Sequence, residues 1–292
     1  MAGDIGVEEG VGLTALMVAA ARAIETHRHD ALARDVYAEH FVRAARASAG
    51  WPVRPEQVEG GEDDPLWGRL GRYFGLRTRV LDDLLLRRVG AGVRQVVLLG
   101  AGLDTRAYRL GWPPGSTVFE LDRADVLAFK GRVLDGLRVT PTAERVAIGT
   151  DLGLDWAPAL TGAGFDPAVP TAWLAEGLLL YLSPSAERAL VGAVDELSAA
   201  GSTLAYEIKL GPEPAAVRGS SIYQAAERTG IDLLTMFDAE PRPDSAGDLT
   251  ARGWRTSVHT PFDFTRQHGR GPHPVPGRPD ALAANRWVFA TR

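Results

Sequence analysis

The chain has 292 residues, of which 45% are apolar, 24% charged and 8% aromatic, a composition that excludes disorder and fibrous repeats. At ~150 residues per domain, this length allows two domains or one elaborated α/β domain. Thirty-two Lys and Arg against 37 Asp and Glu give a net charge of −5, so no global field attracts a polyanion, and nucleic acid is not an expected partner. The absence of cysteine removes disulfides, thiolate metal sites and cysteine nucleophiles together.

Asp4, Glu8 and Glu9 stand where a signal peptide would carry basic residues. The apolar runs fall short of the ~20 residues that span a bilayer, so a cytoplasmic protein free of the membrane is expected. The six histidines form no H-E-x-x-H pair, and no bound metal is expected.

In chain order, the first ninety residues read as helices. Leu13, Leu16, Met17, Ala20 and Ile24 recur at helical spacing, Tyr37 and Phe41 lie four apart, and a longer stripe runs from Leu66 through Phe74 to Leu85. Trp51 to Pro65 is a loop. After Gly90-Ala91-Gly92 the period changes to a continuous apolar run, which marks a buried strand over Gln95–Leu99. A helix from about Asp104, strand Thr117–Leu121, helix Asp125–Leu137, strand Glu144–Ile148, a helix near Leu154, strand Thr171–Ala175, helix Pro184–Ala199 and strand Thr203–Ile208 follow. Strands alternating with crossover helices imply a parallel sheet covered on both faces. Prolines break the rhythm between 210 and 250 around an amphipathic piece, Ile222 to Phe237, and that segment reads as a lid. Trp254–His259 and Arg286–Ala290 read as a terminal antiparallel pair. The expected organisation is therefore a helical cap over 1–90 and a ligand-binding core over 91–292.

Strand Gln95–Leu99 runs straight into Gly100-Ala101-Gly102, and the next strand ends in Asp122, 22 positions after Gly100. Glycines there let a ligand approach the backbone, and an acid at that distance can accept both hydrogen bonds of a ribose diol. The third glycine of a dinucleotide fingerprint is replaced by Thr105, and Asp104 sets an anion where a pyrophosphate would lie. S-adenosylmethionine, a sulfonium cation without phosphate, fits such a pocket better than NAD does; a capping role for Asp104 is compatible with this reading. Asp151, followed by Leu152, and Glu176 end the third and fourth strands on the same rim.

Arg77-Thr78-Arg79, GAGLDTRAYRL from Gly100, Glu120 to Asp122, Thr150-Asp151-Leu152 and AEGLLLYL from Ala175 together resemble the leucine carboxyl methyltransferase-like family. The likeness is strongest to its actinobacterial branch of S-adenosylmethionine-dependent methyltransferases. It implies a class I methyltransferase fold, Rossmann-like, with seven strands in the order 3-2-1-4-5-7-6 and the last strand antiparallel. By position it implies that Gly100 and Gly102 line the methionine part, Asp122 holds the ribose, Asp151 and Leu152 hold the adenine, and Glu176 closes the pocket.

The methionine carboxylate then needs a cation, with bidentate geometry expected from Arg77, the first arginine of the R-T-R pattern, and Arg79 as the alternative. Tyr73, Phe74, Tyr181, Tyr223 and Phe237 fall in segments that should roof the site and would suit a flat apolar acceptor. A carboxylate acceptor is already ionised at neutral pH and needs no base. A phenol or alcohol would need one, for which His259 is the histidine nearest the right rim, although the implied strand order puts it at the sheet edge. The expected function is O-methylation of a small-molecule carboxylate in secondary metabolism. Hydroxyl O-methylation and a non-catalytic adenosyl-binding module are the alternatives.

Overall fold

Residues 6–209, 219–227, 229–237, 240–275 and 280–292 are described by a computed structural model. Strands β1 (Gln95–Leu99), β2 (Thr117–Asp122), β3 (Glu144–Gly149), β4 (Thr171–Ala175), β5 (Thr203–Lys209), β6 (Arg255–His259) and β7 (Asn285–Thr291) form one sheet in the order β3-β2-β1-β4-β5-β7-β6. β1 to β5 pair in parallel, and β7 runs antiparallel to both β5 and β6. Sequence neighbours β1 and β2 lie on one side of the switch and β4 and β5 on the other. The crevice opens where the order reverses, between the carboxyl ends of β1 and β4.

Alternation along the strands feeds two cores. Val96 and Leu98 of β1, with Val118, Leu174 and Ala205, pack under helices α1 (Val11–Thr26), α2 (Ala38–Ala44), α3 (Gly71–Gly90) and α5 (Ala124–Gly136). Val97 and Leu99, with Phe119, Trp173, Leu204 and Val288, pack on the opposite face against α6 (Ala157–Gly162) and α7 (Pro184–Glu196). The first ninety residues thus share one core with the sheet, and α3 brings Tyr73 and Arg77 beside the crevice. No helix of the described residues is long and apolar enough to cross a membrane.

Several boundaries depart from the sequence reading. The helix expected from Asp104 is a single turn, α4 (Arg106–Arg109), because Pro113 and Pro114 soon follow and cannot extend it. The helix near Leu154 begins only at Ala157, leaving Leu154 itself exposed, and α7 stops at Glu196, three residues early. Within the expected lid, 210–218, 228 and 238–239 lie outside the described residues. Its amphipathic piece is two short helices, Ser221–Glu227 and Leu233–Met236, separated by Gly230 at φ 81°, and Asp232 caps the second one. The helix Ser245–Ala251 belongs to the sheet layer and not to the lid, since Leu249 is buried in the core that holds Trp254. A helix over Pro261–His268, capped by Thr260 and Asp263, connects β6 toward β7 and was not anticipated.

Candidate functional site

The turn after β1 is built on positive φ, 69° at Gly100 and 45° at Gly102, conformations in which a side chain is strained. A Cβ at Gly100 would meet Leu178 Cδ1 at 3.0 Å. The turn is held by Asp122, whose Oδ2 accepts from Gly102 N at 2.6 Å and whose Oδ1 accepts from Arg123 N at 2.7 Å. Each carboxylate oxygen has two acceptor sites, so capacity for a diol remains. Burial raises the pKa of Asp122, with those two backbone bonds opposing.

A cavity of about 400 Å³ opens above this turn, a size typical of small-molecule sites. One end is lined by Gly100, Gly102, Asp104, Asp122, Asp151, Leu152 and Glu176. Leu152 is buried, whereas Asp151 is exposed and its Oδ1 accepts from Gly153 N at 2.8 Å. Tyr73, Phe74, Tyr181, Tyr223 and Phe237 line the same cavity, with the Arg77 guanidinium 4.8 Å from the ring centre of Phe74 and 5.7 Å from that of Tyr73. The structure therefore brings together every anticipated residue of both groups except Arg79. That side chain is half-exposed on the outer face of α3 and donates to Asp83 at 2.8 Å. His259 likewise lies away from the cavity, its ring packed against Phe264 and Phe289 on the edge strand.

Beneath the cavity runs a chain of alternating charges: Asp82, Arg106, Glu176, Arg77, Glu207. Arg106, fully buried, donates from Nε to Asp82 at 2.7 Å and from Nη1 to Glu176 at 2.6 Å, and also binds Asp104. Arg77 donates from Nε to Glu176 at 2.9 Å and from Nη1 to Glu207 at 2.5 Å. Burial alone would raise the pKa of Glu176, but Arg106 and Arg77 outweigh it and hold the carboxyl well below the usual range. The Asp104 carboxyl is lowered likewise, chiefly by Arg106 against burial.

Two expectations change accordingly. Asp104 is not an isolated anion at a helix start: its Oδ1 accepts from Arg106 N at 2.6 Å and its charge is countered by the guanidinium of the same residue. Asp104 is instead part of a buried cluster in which Asp82, Asp104, Glu176 and Glu207 face Arg77, Arg106 and Arg109. Arg77 has also committed two edges of its fork to protein carboxylates, leaving Nη2 for a ligand in place of the bidentate face expected.

Glu207, Lys209, Asn285 and the α1 residues Thr14, Ala15 and Arg22 also line the cavity and were missed from sequence. Glu207 accepts from Tyr73 Oη and from Asn285 Nδ2 at 3.3 Å, and burial pushes its pKa up, with Lys209 and Trp287 opposing. Tyr73 Oη in turn accepts from Asn285 Nδ2 at 3.0 Å and Trp287 Nε1 at 3.1 Å. One signal was available for two of these residues: charges at 207 and 209 of a strand otherwise buried on both faces.

The sequence model of one family, described as "Leucine carboxyl methyltransferase", matches residues 15–195. The chain belongs to that family. A Streptomyces coelicolor protein named a "Putative S-adenosyl-L-methionine-dependent methyltransferase" is 66% identical over 98% of this chain and 95% of its own. A Saccharopolyspora erythraea protein of the same name is 47% identical over 98% of this chain and 97% of its own. Among solved structures, a Thermobifida fusca protein described as a "putative methyltransferase" superposes with TM-score 0.54 at 18% identity, covering 87% of this chain and 94% of that one. A DUF574 family protein of Streptomyces avermitilis gives 0.51 at 16% identity, covering 93% and 99%. The fold of this leucine carboxyl methyltransferase family member is thus the class I methyltransferase fold that its motifs implied.

Proposed function

We propose that the protein transfers the methyl group of S-adenosylmethionine to the carboxylate of an apolar small molecule, making a methyl ester. The observation that carries this reading is one continuous cavity with two chemically different ends. The end at the β1 turn offers glycine backbone, the Asp122 and Asp151 carboxylates and, beneath them, Glu176 held ionised by Arg106 and Arg77. The rest of the wall is largely aromatic and aliphatic, with Glu207 and Lys209 set in it, and no histidine lines the cavity among the described residues.

The residues present fit the cofactor: Asp122 would take the ribose, Leu152 and Asp151 the adenine, Glu176 the methionine ammonium and Arg77 Nη2 its carboxylate. When bound, the cofactor supplies an activated methyl group on a sulfonium. The chain's own contribution is to orient and to exclude water, through Tyr73, Phe74, Tyr181, Tyr223 and Phe237; proximity of this kind supplies much of a displacement rate. A carboxylate nucleophile of pKa ~4 leaves no proton to remove near neutrality.

A hydroxyl acceptor is the second reading, favoured by one observation: Glu207 is a buried carboxylate in the cavity wall whose raised pKa suits proton acceptance. Turnover of a panel of apolar acids and phenols, followed by mass spectrometry for methyl gain, separates the two. Carboxyl transfer gives products hydrolysed by mild alkali and a rate at saturating acceptor nearly flat from about pH 6 to 8, unaltered by His259→Ala. Alkali-stable products, or a rate that climbs steeply with pH, refute it in favour of hydroxyl transfer.

A further inference from the structure

After β4 the chain forms a loop that borders the whole cavity. Glu176 opens it, a Cβ at Gly177 would meet Arg77 Nη1 at 3.4 Å, and Leu178 packs on the Gly100 turn. Leu180, Tyr181 and Leu182 then line the cavity, with the Tyr181 ring centre 5.8 Å from that of Phe237. One end of this loop is held by Arg77 and Arg106 through Glu176. The other is a single 3-10 turn, Leu179–Tyr181, that stops short of α7. A turn so short leaves its last carbonyls outside any helical ladder.

Those carbonyls are taken by one side chain, 60 residues on from Leu182. Arg242 Nη1 and Nη2 both donate to Leu182 O, at 2.8 and 2.9 Å, and Nη2 also donates to Leu179 O at 2.7 Å. Its Nε and Nη2 reach Glu187 Oε2 at 3.1 and 2.5 Å. Glu187 is fully buried in the first turn of α7, and its Oε1 accepts from Ser245 Oγ. Pro241 and Pro243 flank the arginine and restrict the backbone around it, so its stem reaches the loop with little freedom left to lose. The Arg242 side chain is 11% exposed, and its planar fork spans two carbonyls and a carboxylate that an ammonium could not serve together.

We propose that Arg242 is a positioning residue for methyl transfer, holding the loop of residues 177–182 so that Leu178 backs the methionine side of the cofactor and Tyr181 faces the acceptor. Arg242 does not itself line the cavity. The assignment rests on the cofactor placement given above. In that placement the adenosine half is met by Asp122, Asp151 and Leu152, at the ends of β2 and β3 and on the opposite side of β1 from the loop. Loosening the loop is therefore felt by the amino-acid half of the cofactor.

The test is titration calorimetry of the full chain with S-adenosylhomocysteine and with 5′-methylthioadenosine, which lacks the amino-acid part. Arg242→Gln and Arg242→Lys both remove the double contact with Leu182 O, and the lysine variant keeps a charge opposite Glu187 should the glutamine variant fail to fold. Each should lose about 10-fold in affinity for S-adenosylhomocysteine, roughly the cost of re-ordering one backbone residue on binding, and stay within ~2-fold for 5′-methylthioadenosine. Without ligand, the amides of 177–183 should exchange with deuterium at least ~10-fold faster than in the wild type, with those of β4 unchanged. Glu187→Gln leaves the carbonyl contacts in place and should keep both affinities within ~2-fold; the same selective loss there would overturn the assignment to those contacts. Equal weakening of the two ligands by the Arg242 variants, or unaltered exchange in the loop, overturns positioning in favour of a role in overall stability alone. Glu176→Gln tests the cofactor placement separately: it should weaken S-adenosylhomocysteine and spare 5′-methylthioadenosine, and a variant that spares both overturns that placement and this proposal with it.

Discussion

Replacement of Arg77 by Lys keeps the charge and removes the fork. In the wild type, Nε and Nη1 reach two different carboxylates at 2.9 and 2.5 Å in a setting where the arginine side chain is 6% exposed. One ammonium cannot face both at those positions. A buried carboxylate left short of a charge-assisted hydrogen bond costs about 1.5–3 kcal/mol. With an unfolding entropy on the order of 0.6 kcal/mol/K for a chain of this length, the melting temperature should fall by about 3–5 °C in scanning calorimetry. Nη2 is lost with the fork, so the affinity for S-adenosylhomocysteine should drop about 10-fold or more by titration calorimetry. 5′-Methylthioadenosine, which has the adenosine but no amino-acid part, should bind within ~2-fold of the wild type. Arg79→Lys alters a half-exposed pair with Asp83 and should leave both ligands and the melting temperature nearly unchanged. Equal weakening of the two ligands by Arg77→Lys, or a larger effect from Arg79→Lys, would refute the placement of Arg77 at the methionine carboxylate.

Asp122→Ala removes the acceptor that anchors the Gly102 amide and the one proposed for the ribose; S-adenosylhomocysteine and 5′-methylthioadenosine should both lose about 10-fold or more in affinity, and an unchanged value for either in a folded variant contradicts the role. Glu176 and Asp104 have folded pKa values depressed below the unfolded ones, so the stability they contribute is complete above the unfolded value of about 4 and is lost as pH falls through the folded values. The urea midpoint should therefore decline below about pH 4, and more shallowly in Glu176→Gln; a wild type and variant with parallel acid limbs would show that Arg106 and Arg77 do not hold Glu176 ionised.

The alternation of apolar strand runs with amphipathic stretches determined the parallel sheet, because burial on both faces demands continuous apolar strands such as Val96 to Leu99. The acids at strand ends were legible for a related reason. In a parallel sheet every carboxyl end lies on one rim, so Asp122, Asp151 and Glu176 are placed in one cavity by chain direction alone. Helix lengths were read less well, since a helix near Asp104 is stopped by Pro113 and Pro114 after one turn, and Ser245–Ala251 is a core helix where loop chemistry suggested a lid.

The R-T-R pattern favoured Arg77 over Arg79, but only the tertiary structure gave the physical reason. Two residues apart on α3, they point to different faces, one against Glu176 and Glu207, the other toward solvent and Asp83. It also decided that Asp104 is neutralised by Arg106, and that Glu207 joins Tyr73 and Asn285 across sequence separations of 134 and 78 residues. Local pattern records which face of an element is apolar. It carries no record of which distant charge answers a buried one, because that pairing is set by how α3, β5 and β7 pack together.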